Sequence, residues 1–309
     1  MSIHSLIIVG ILHLGNRASP TCQARRAMKR MRHLEATAMT QKILVLAATG
    51  NVGLPLVERL LEMGLAVKAA SRDGRAVGTA EGVVFNYADP QTYPTAFDGA
   101  RAVYVMTPAG YPDVQEAASS VIRYATARDV KVVLQTNIEV DFDEHNVYRA
   151  VEGLLRESGS RFVTLRPNWF MDNFRMFWLN DLQQGALTLP VGNARTAFID
   201  VLDIAASAAM ALTSDEFDGQ TFTLTGPESL SYREAVAIFS SVLGRSIVFN
   251  DVAEEAFVQQ LVGRGMPEKH ALFFASVLDL VRRGAAEKIS HDVERLAGRP
   301  ARSLRQYVE

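Results

Sequence analysis

The chain has a single cysteine in 309 residues, Cys22, close to the N-terminus. That excludes an intrachain disulfide, and it leaves neither a thiolate metal cage nor a cysteine nucleophile for the body of the protein. An excess of one charge is also missing. Thirty-two Lys and Arg face 34 Asp and Glu, for a formal net charge of −2, which gives no footing for nucleic acid or an anionic membrane as partner. The N-terminal apolar run, residues 6–14, is too short for a membrane span, which takes about 20 residues. A G-x-S-x-G elbow is lacking, so Ser-His-Asp hydrolysis is discounted. Asp141, Asp143, Glu144 and His145 form a local acidic group, but their spacing fits no metal site, and a solvated loop without metal is the expectation.

Residues 1–38 differ in composition from the rest. After the apolar run comes a basic stretch with Arg25, Arg26, Lys29, Arg30 and Arg32, in which Glu35 is the only acid. A secretory signal is disfavoured because only His4 precedes the run. Two readings stand: a mobile extension ahead of a natural start at Met39, or an arginine-rich transit peptide. The chain as a whole, 48% hydrophobic and 21% charged, has an ordinary composition, and the cytoplasm is the expected location.

From Gln41 the pattern becomes regular. Residues 42–47 (KILVLA) are an apolar strand, and residues 54–63 repeat Val57, Leu60 and Leu61 at helical spacing, with Gly64 placed to end the helix. Further strands are predicted at 65–70, 83–85, 102–106, 130–134 and 162–165, with helices at 114–128 and 147–158. Nearly continuous apolar strands alternating with helices predict a parallel sheet covered on both faces. After Pro167 the rhythm changes. Short strands are expected at 196–200 and 222–224, and a helix at 204–212 with Asp203 as its cap. Ser231 and Glu234 make a capping box for a helix over 235–243, and helical sequence runs from there to Glu309.

The turn VLAATGNVG, residues 45–53, joins the first strand to the first helix. In that position it predicts a dinucleotide site, with Ala48, Thr49, Gly50, Asn51, Val52 and Gly53 around the pyrophosphate and the helix N-terminus aimed at its charge. Ala47 stands where such turns carry their first glycine. At the end of a strand, with negative φ, alanine fits there at little cost. The tip of the second strand carries Ser71 and Arg72 in place of the carboxylate that holds the ribose of NAD. A hydroxyl and a guanidinium suit a 2′-phosphate, so NADP is favoured over NAD. Asp73 stands against this if it pairs with Arg72.

With these residues the chain resembles the NmrA-like group of atypical short-chain dehydrogenases/reductases over about residues 41–309. The likeness is carried by ATGNVG (48–53), SRD (71–73), VMTP (105–108), ESG followed by LRPNWFMDNF (157–174), FIDVLDIA (198–205) and TGPESLS (225–231). The resemblance implies an α/β, Rossmann-type doubly wound parallel sheet over 39–168 with a smaller, mainly substrate-binding C-terminal lobe over 169–309. Strand segments near 196–226 are expected to return to the sheet. It further implies Asn86 beside the adenine, Met106, Thr107 and Pro108 along the nicotinamide ribose, and Thr136 and Asn137 beside the reacting ring.

The superfamily's Tyr-x-x-x-Lys pair is absent. The register of the resemblance puts Tyr148 at the lysine position and Glu144 at the tyrosine position. Glu152, four residues on, is expected to raise the Tyr148 pKa. Tyr148 and Thr136 remain the candidate catalytic residues, the tyrosine as a hydrogen-bond donor in the nicotinamide pocket. Asn168, Trp169 and Phe170 are candidates for holding a small apolar or aromatic substrate, while Phe174 and Phe177 are expected to pack the lobe. Two functions fit: an NADPH-dependent reductase of conjugated acceptors such as quinones, or a redox sensor that binds NADP without catalysis.

Overall fold

The computed structural model describes residues 41–107, 111 and 113–309. The expectations for residues 1–38 and for Pro108 lie outside these. The chain alternates β1 (Lys42–Val45), α1 (Gly53–Glu62), β2 (Val67–Ser71), β3 (Glu81–Val84), α2 (Tyr93–Phe97) and β4 (Ala100–Val105). It continues with α3 (Val114–Thr126), β5 (Lys131–Gln135), α4 (Tyr148–Glu157) and β6 (Phe162–Pro167). With β9 (Gln220–Leu224) these strands build a seven-stranded sheet in the order β3-β2-β1-β4-β5-β6-β9, every pair parallel. The order turns back between β1 and β4, and such a switch point opens a crevice at the carboxyl ends of the strands.

Both faces of the sheet are covered because its strands are apolar on both sides. In β1, Ile43 and Val45 enter one core with α1 and α7 (Val201–Thr213), while Leu44 and the following Leu46 enter the other with α2, α3 and α4. α1 buries Leu56, Val57 and Leu60 and ends at Gly64, whose φ of 74° supplies the left-handed residue expected there.

After β6 come α5 (Asn173–Met176), α6 (Leu179–Gln183), β7 (Ala186–Leu189) and β8 (Arg195–Thr196). Past α7 and β9 follow β10 (Leu230–Ser231), α8 (Tyr232–Leu243), β11 (Val248–Asp251), α9 (Glu254–Gly263), α10 (Glu268–Arg282), α11 (Asp292–Ala297) and α12 (Leu304–Val308). β7 pairs with β11 and β8 with β10, away from the main sheet. A third core, with Met171, Phe174, Trp178, Phe198, Tyr232 and Phe239, fills this part. No helix among the described residues is long and apolar enough to cross a membrane.

The capping box at Ser231 and Glu234 is present as the sequence predicts, starting α8. Three local expectations are corrected. β11 interrupts what reads as continuous helix, because its partner β7 lies some sixty residues away in sequence. Asp203 does not cap α7. Asp200 accepts the Leu202 N–H and starts that helix earlier, while Asp203, fully buried, pairs with Arg299 and accepts the Arg302 N–H at 2.7 Å.

The third correction concerns Ala47. β1 ends at Val45, and Ala47 has φ 53°, in the left-handed region where a Cβ is strained. The turn demands it: the Ala47 carbonyl accepts the Gly50 N–H at 2.9 Å, and the Ala48 N–H is tied to Ala70 O at 3.0 Å. Gly53 is equally constrained, since a Cβ there would lie 2.1 Å from Ala47 O. Ala47→Gly is therefore expected to stabilise the fold. It removes about 1–2 kcal/mol of strain and returns about 0.5–1 kcal/mol to unfolded-chain freedom, so the denaturant midpoint should rise at constant m. A lower midpoint would mean that the methyl group contributes more than its strain. Gly53→Ala is expected to cost at least about 1–3 kcal/mol, read in the same denaturation experiment.

Candidate functional site

At the switch point lies a cavity of about 850 Å³, walled by the segments that leave β1 to β6. Its floor at one end is the glycine-rich turn, with Thr49, Gly50, Asn51 and Val52 facing it. α1 has no side-chain cap and no acidic residue in its first turn. The N–H groups of Thr49, Asn51 and Val52 have no protein acceptor among the described residues. Free donors at an uncapped helix N-terminus suit an anion such as a pyrophosphate. Ala48 is fully buried and, like Gly53, is not on the cavity wall, so the two shape the turn without lining it.

The tip of β2 brings Ser71 and Arg72 to the wall. Asp73 does not pair with Arg72. It accepts the Ser71 hydroxyl at 2.7 Å and the Arg75 N–H at 3.3 Å, bonds that hold its carboxyl below the usual carboxylate range. Ser71 thus spends its proton on Asp73, while Arg72, exposed, makes no ion pair among the described residues. Asn86 lies on the adjoining wall, its Oδ1 accepting the Ala88 N–H at 3.1 Å. Tyr87 and Tyr111 line the same region, the Tyr87 hydroxyl donating to Met106 O at 2.9 Å. No motif in the sequence marks these two tyrosines.

At the other end Met106, Thr107, Thr136, Asn137 and Tyr148 come together with Phe170. The Tyr148 and Thr107 hydroxyls share a hydrogen bond of 2.7 Å. Burial pushes the Tyr148 pKa up and the Thr107 bond opposes it. The expected cause is corrected: Glu152 does not act on the tyrosine. Its carboxylate, 3% exposed, receives Arg166 Nε at 3.0 Å and Nη2 at 2.5 Å, together with the Thr136 hydroxyl at 2.8 Å. Arg166 Nη1 also binds Asp141, so that residue of the acidic loop is engaged rather than merely solvated. Tyr148 is the first residue of α4, and Glu144 is an exposed loop residue ahead of the helix. Nothing one turn before the tyrosine on α4 therefore acts on it. Asn137 Oδ1 accepts the Asn146 amide at 2.9 Å, which anchors that loop to the site.

Of the three substrate candidates only Phe170 faces the cavity. Asn168 is 2% exposed, gives its amide to Ala286 O and holds its own neighbour's N–H, so it joins the chain's two parts instead of meeting a ligand. Trp169 stands beside the cavity rather than on its wall, with its indole N–H on Glu139 and its ring stacked 6.3 Å from Trp178. Phe174 is buried as expected. Phe177 is not a packing residue: it is 55% exposed and touches Phe274 edge-on. Met176 reaches the Asn51 amide, so the segment after β6 meets the glycine-rich turn.

An NAD(P)H azoreductase of Xenophilus azovorans is 30% identical over 279 residues, 86% of this chain and 96% of its own. The triphenylmethane reductase of Citrobacter sp. complexed with NADP(H) has the same fold, with a TM-score of 0.77 at 22% identity over 86% of this chain and 98% of that one. So does an NADPH-dependent quinone oxidoreductase of Escherichia coli complexed with NADPH, with a TM-score of 0.77 at 20% identity and the same coverage. The sequence model of the NmrA-like family matches residues 39–307, and the chain belongs to that family.

Proposed function

We propose that the protein is an NAD(P)H-dependent oxidoreductase, using NADPH in preference to NADH, that reduces a small apolar conjugated acceptor. The observation that carries this reading is the single cavity linking an uncapped helix N-terminus, an unpaired arginine and an aromatic end. The turn's N–H groups would hold a pyrophosphate, and Arg72 would meet a 2′-phosphate. Nicotinamide supplies hydride chemistry when bound. The names of the relatives support the choice of acceptor, since azo dyes, triphenylmethane dyes and quinones are all conjugated and largely apolar. The cytoplasm is the expected location, on composition alone.

The chain's own residues set what chemistry is accessible. Thr136 commits its proton to Glu152, and Tyr148 has a raised pKa with no lysine beside it. A tyrosine-driven ketone reduction is therefore disfavoured, whereas an acceptor whose conjugation stabilises the added electrons needs less acid help. Phe170 offers a flat apolar face to such an acceptor, and we read the third core behind it as the substrate lobe.

Purified protein should oxidise NADPH in the presence of quinones, azo dyes or conjugated imines. Tight NADPH binding without turnover on any of them would replace this reading with the sensor. Arg72→Ala should weaken NADPH by about 1.5–3 kcal/mol, the loss of one charge-assisted contact, and leave NADH as it was. Calorimetric titration of both cofactors checks this, and equal weakening would remove the 2′-phosphate role.

A further inference from the structure

Gln135, the last residue of β5, is a polar side chain on the cavity wall that the arrangement above leaves without a task. It is 4% exposed and lines the cavity together with Met106, Thr107, Thr136, Asn137 and Phe170. In the sheet order β4 separates β5 from β1, so Gln135 stands at the aromatic end, two strands from the glycine-rich turn.

Strand alternation puts Gln135 on the same face of the sheet as Val133, toward the core that α1 and α7 share. Tyr104 of β4 has its ring in that core, and its hydroxyl donates to Gln135 Oε1. This bond fixes the orientation of the amide. A phenol has one proton to give, and the Tyr104 hydroxyl meets no other protein acceptor among the described residues. Burial raises the Tyr104 pKa well above the usual 10, which keeps that proton in place. Only the amide oxygen can accept it, so Oε1 is committed to Tyr104 and the two amide hydrogens remain on Nε2.

Nε2 has no protein acceptor among the described residues. The side chains beside it on the sheet, Val133, Leu134 and Leu165, are buried and apolar. An amide donor left unpaired in such surroundings is costly, whereas a ligand in the cavity can accept from it.

We propose that Gln135, oriented by Tyr104, is a carbonyl-binding residue: its Nε2–H donates to a carbonyl oxygen carried by a flat conjugated ring. The proposal rests on the reductase reading for the nature of that ring. A neutral amide suits an uncharged oxygen, while at the other end of the cavity the phosphates would meet backbone N–H groups and Arg72. Phe170, on the same wall, supplies the apolar face that a flat ring needs. Two rings fit this description, nicotinamide through its carboxamide and a quinone-type acceptor through its own carbonyl. On an acceptor the bond strengthens as charge builds on the oxygen, so the amide assists reduction without transferring a proton.

The double variant Tyr104→Phe/Gln135→Leu removes both halves of the pair, so neither is left unsatisfied within the sheet. NADPH and NADH binding are titrated calorimetrically, and turnover is compared for menadione and for an azo dye without a carbonyl group. If the acceptor's carbonyl is the partner, the menadione-to-dye ratio of kcat/KM should fall about 3–10-fold at unchanged cofactor affinity, the usual weight of one neutral hydrogen bond. If the carboxamide is the partner, affinity for both cofactors should fall by that factor while the ratio holds. Tyr104→Phe alone, a milder change that leaves the amide free to turn, should move the same quantity in the same direction, and it decides the matter should the double variant not fold. An unchanged ratio with unchanged affinities would overturn the proposal. If the unaltered protein turns over no acceptor, the reductase reading falls by itself. The titration then decides Gln135: weakened cofactor binding keeps its carbonyl role, and unchanged binding removes it.

Discussion

The contact on which the rest of the structure depends is the seating of α1 against the Ala47 carbonyl. A Cβ on Gly53 would come within 2.1 Å of that oxygen, so the helix can lie this close only because position 53 has none. The same contact turns Ala47 into the left-handed region, with φ 53°. Strain at one residue and the lack of a side chain at another are two sides of a single constraint. Together they bring residues 49, 51 and 52, whose N–H groups have no protein acceptor among the described residues, to the switch point. The cavity is placed by backbone packing before any ligand-facing side chain is considered.

The opposite end of the cavity is built differently, from side chains. Glu152 is buried with Arg166 and Thr136 on its oxygens, and removing one partner from such a buried pair typically costs about 3–5 kcal/mol. This network fixes the end of β6 and the segment after β5 against α4. It also withdraws Thr136's proton and leaves Tyr148 to share a bond with Thr107. Glu152 of α4 is thus committed to an arginine and a threonine rather than to Tyr148.

The sequence is readable wherever the cause is local. Apolar runs predict the sheet strands because residues buried on both faces leave no polar alternation, and the Ser231 and Glu234 box is written in adjacent residues. It is unreadable where the partner is distant. Asn168 looks like a ligand-binding amide until Ala286, 118 residues on, takes its donor. Asp203 looks like a cap until the C-terminal arginines Arg299 and Arg302 approach it. Ala47 reads as the end of a strand because nothing in its neighbours reveals how closely Gly53 will press.

The two ends of the cavity therefore differ in what they tolerate. On the proposed reading the turn would bind through its backbone, so its affinity for an anion would survive most side-chain changes outside residues 50 and 53. The tip of β2 is more open to change, because among the described residues Arg72 is exposed and makes no ion pair, while Ser71 and Asp73 bond to each other and to the local chain. The chemical end depends on a few buried polar groups in one corner, where removing any one leaves its partner unsatisfied. Phe170 and the aromatic residues behind it can vary without disturbing those bonds, provided the volume is filled. A fold divided in this way can keep its backbone turn and its buried polar network unchanged while its apolar wall varies.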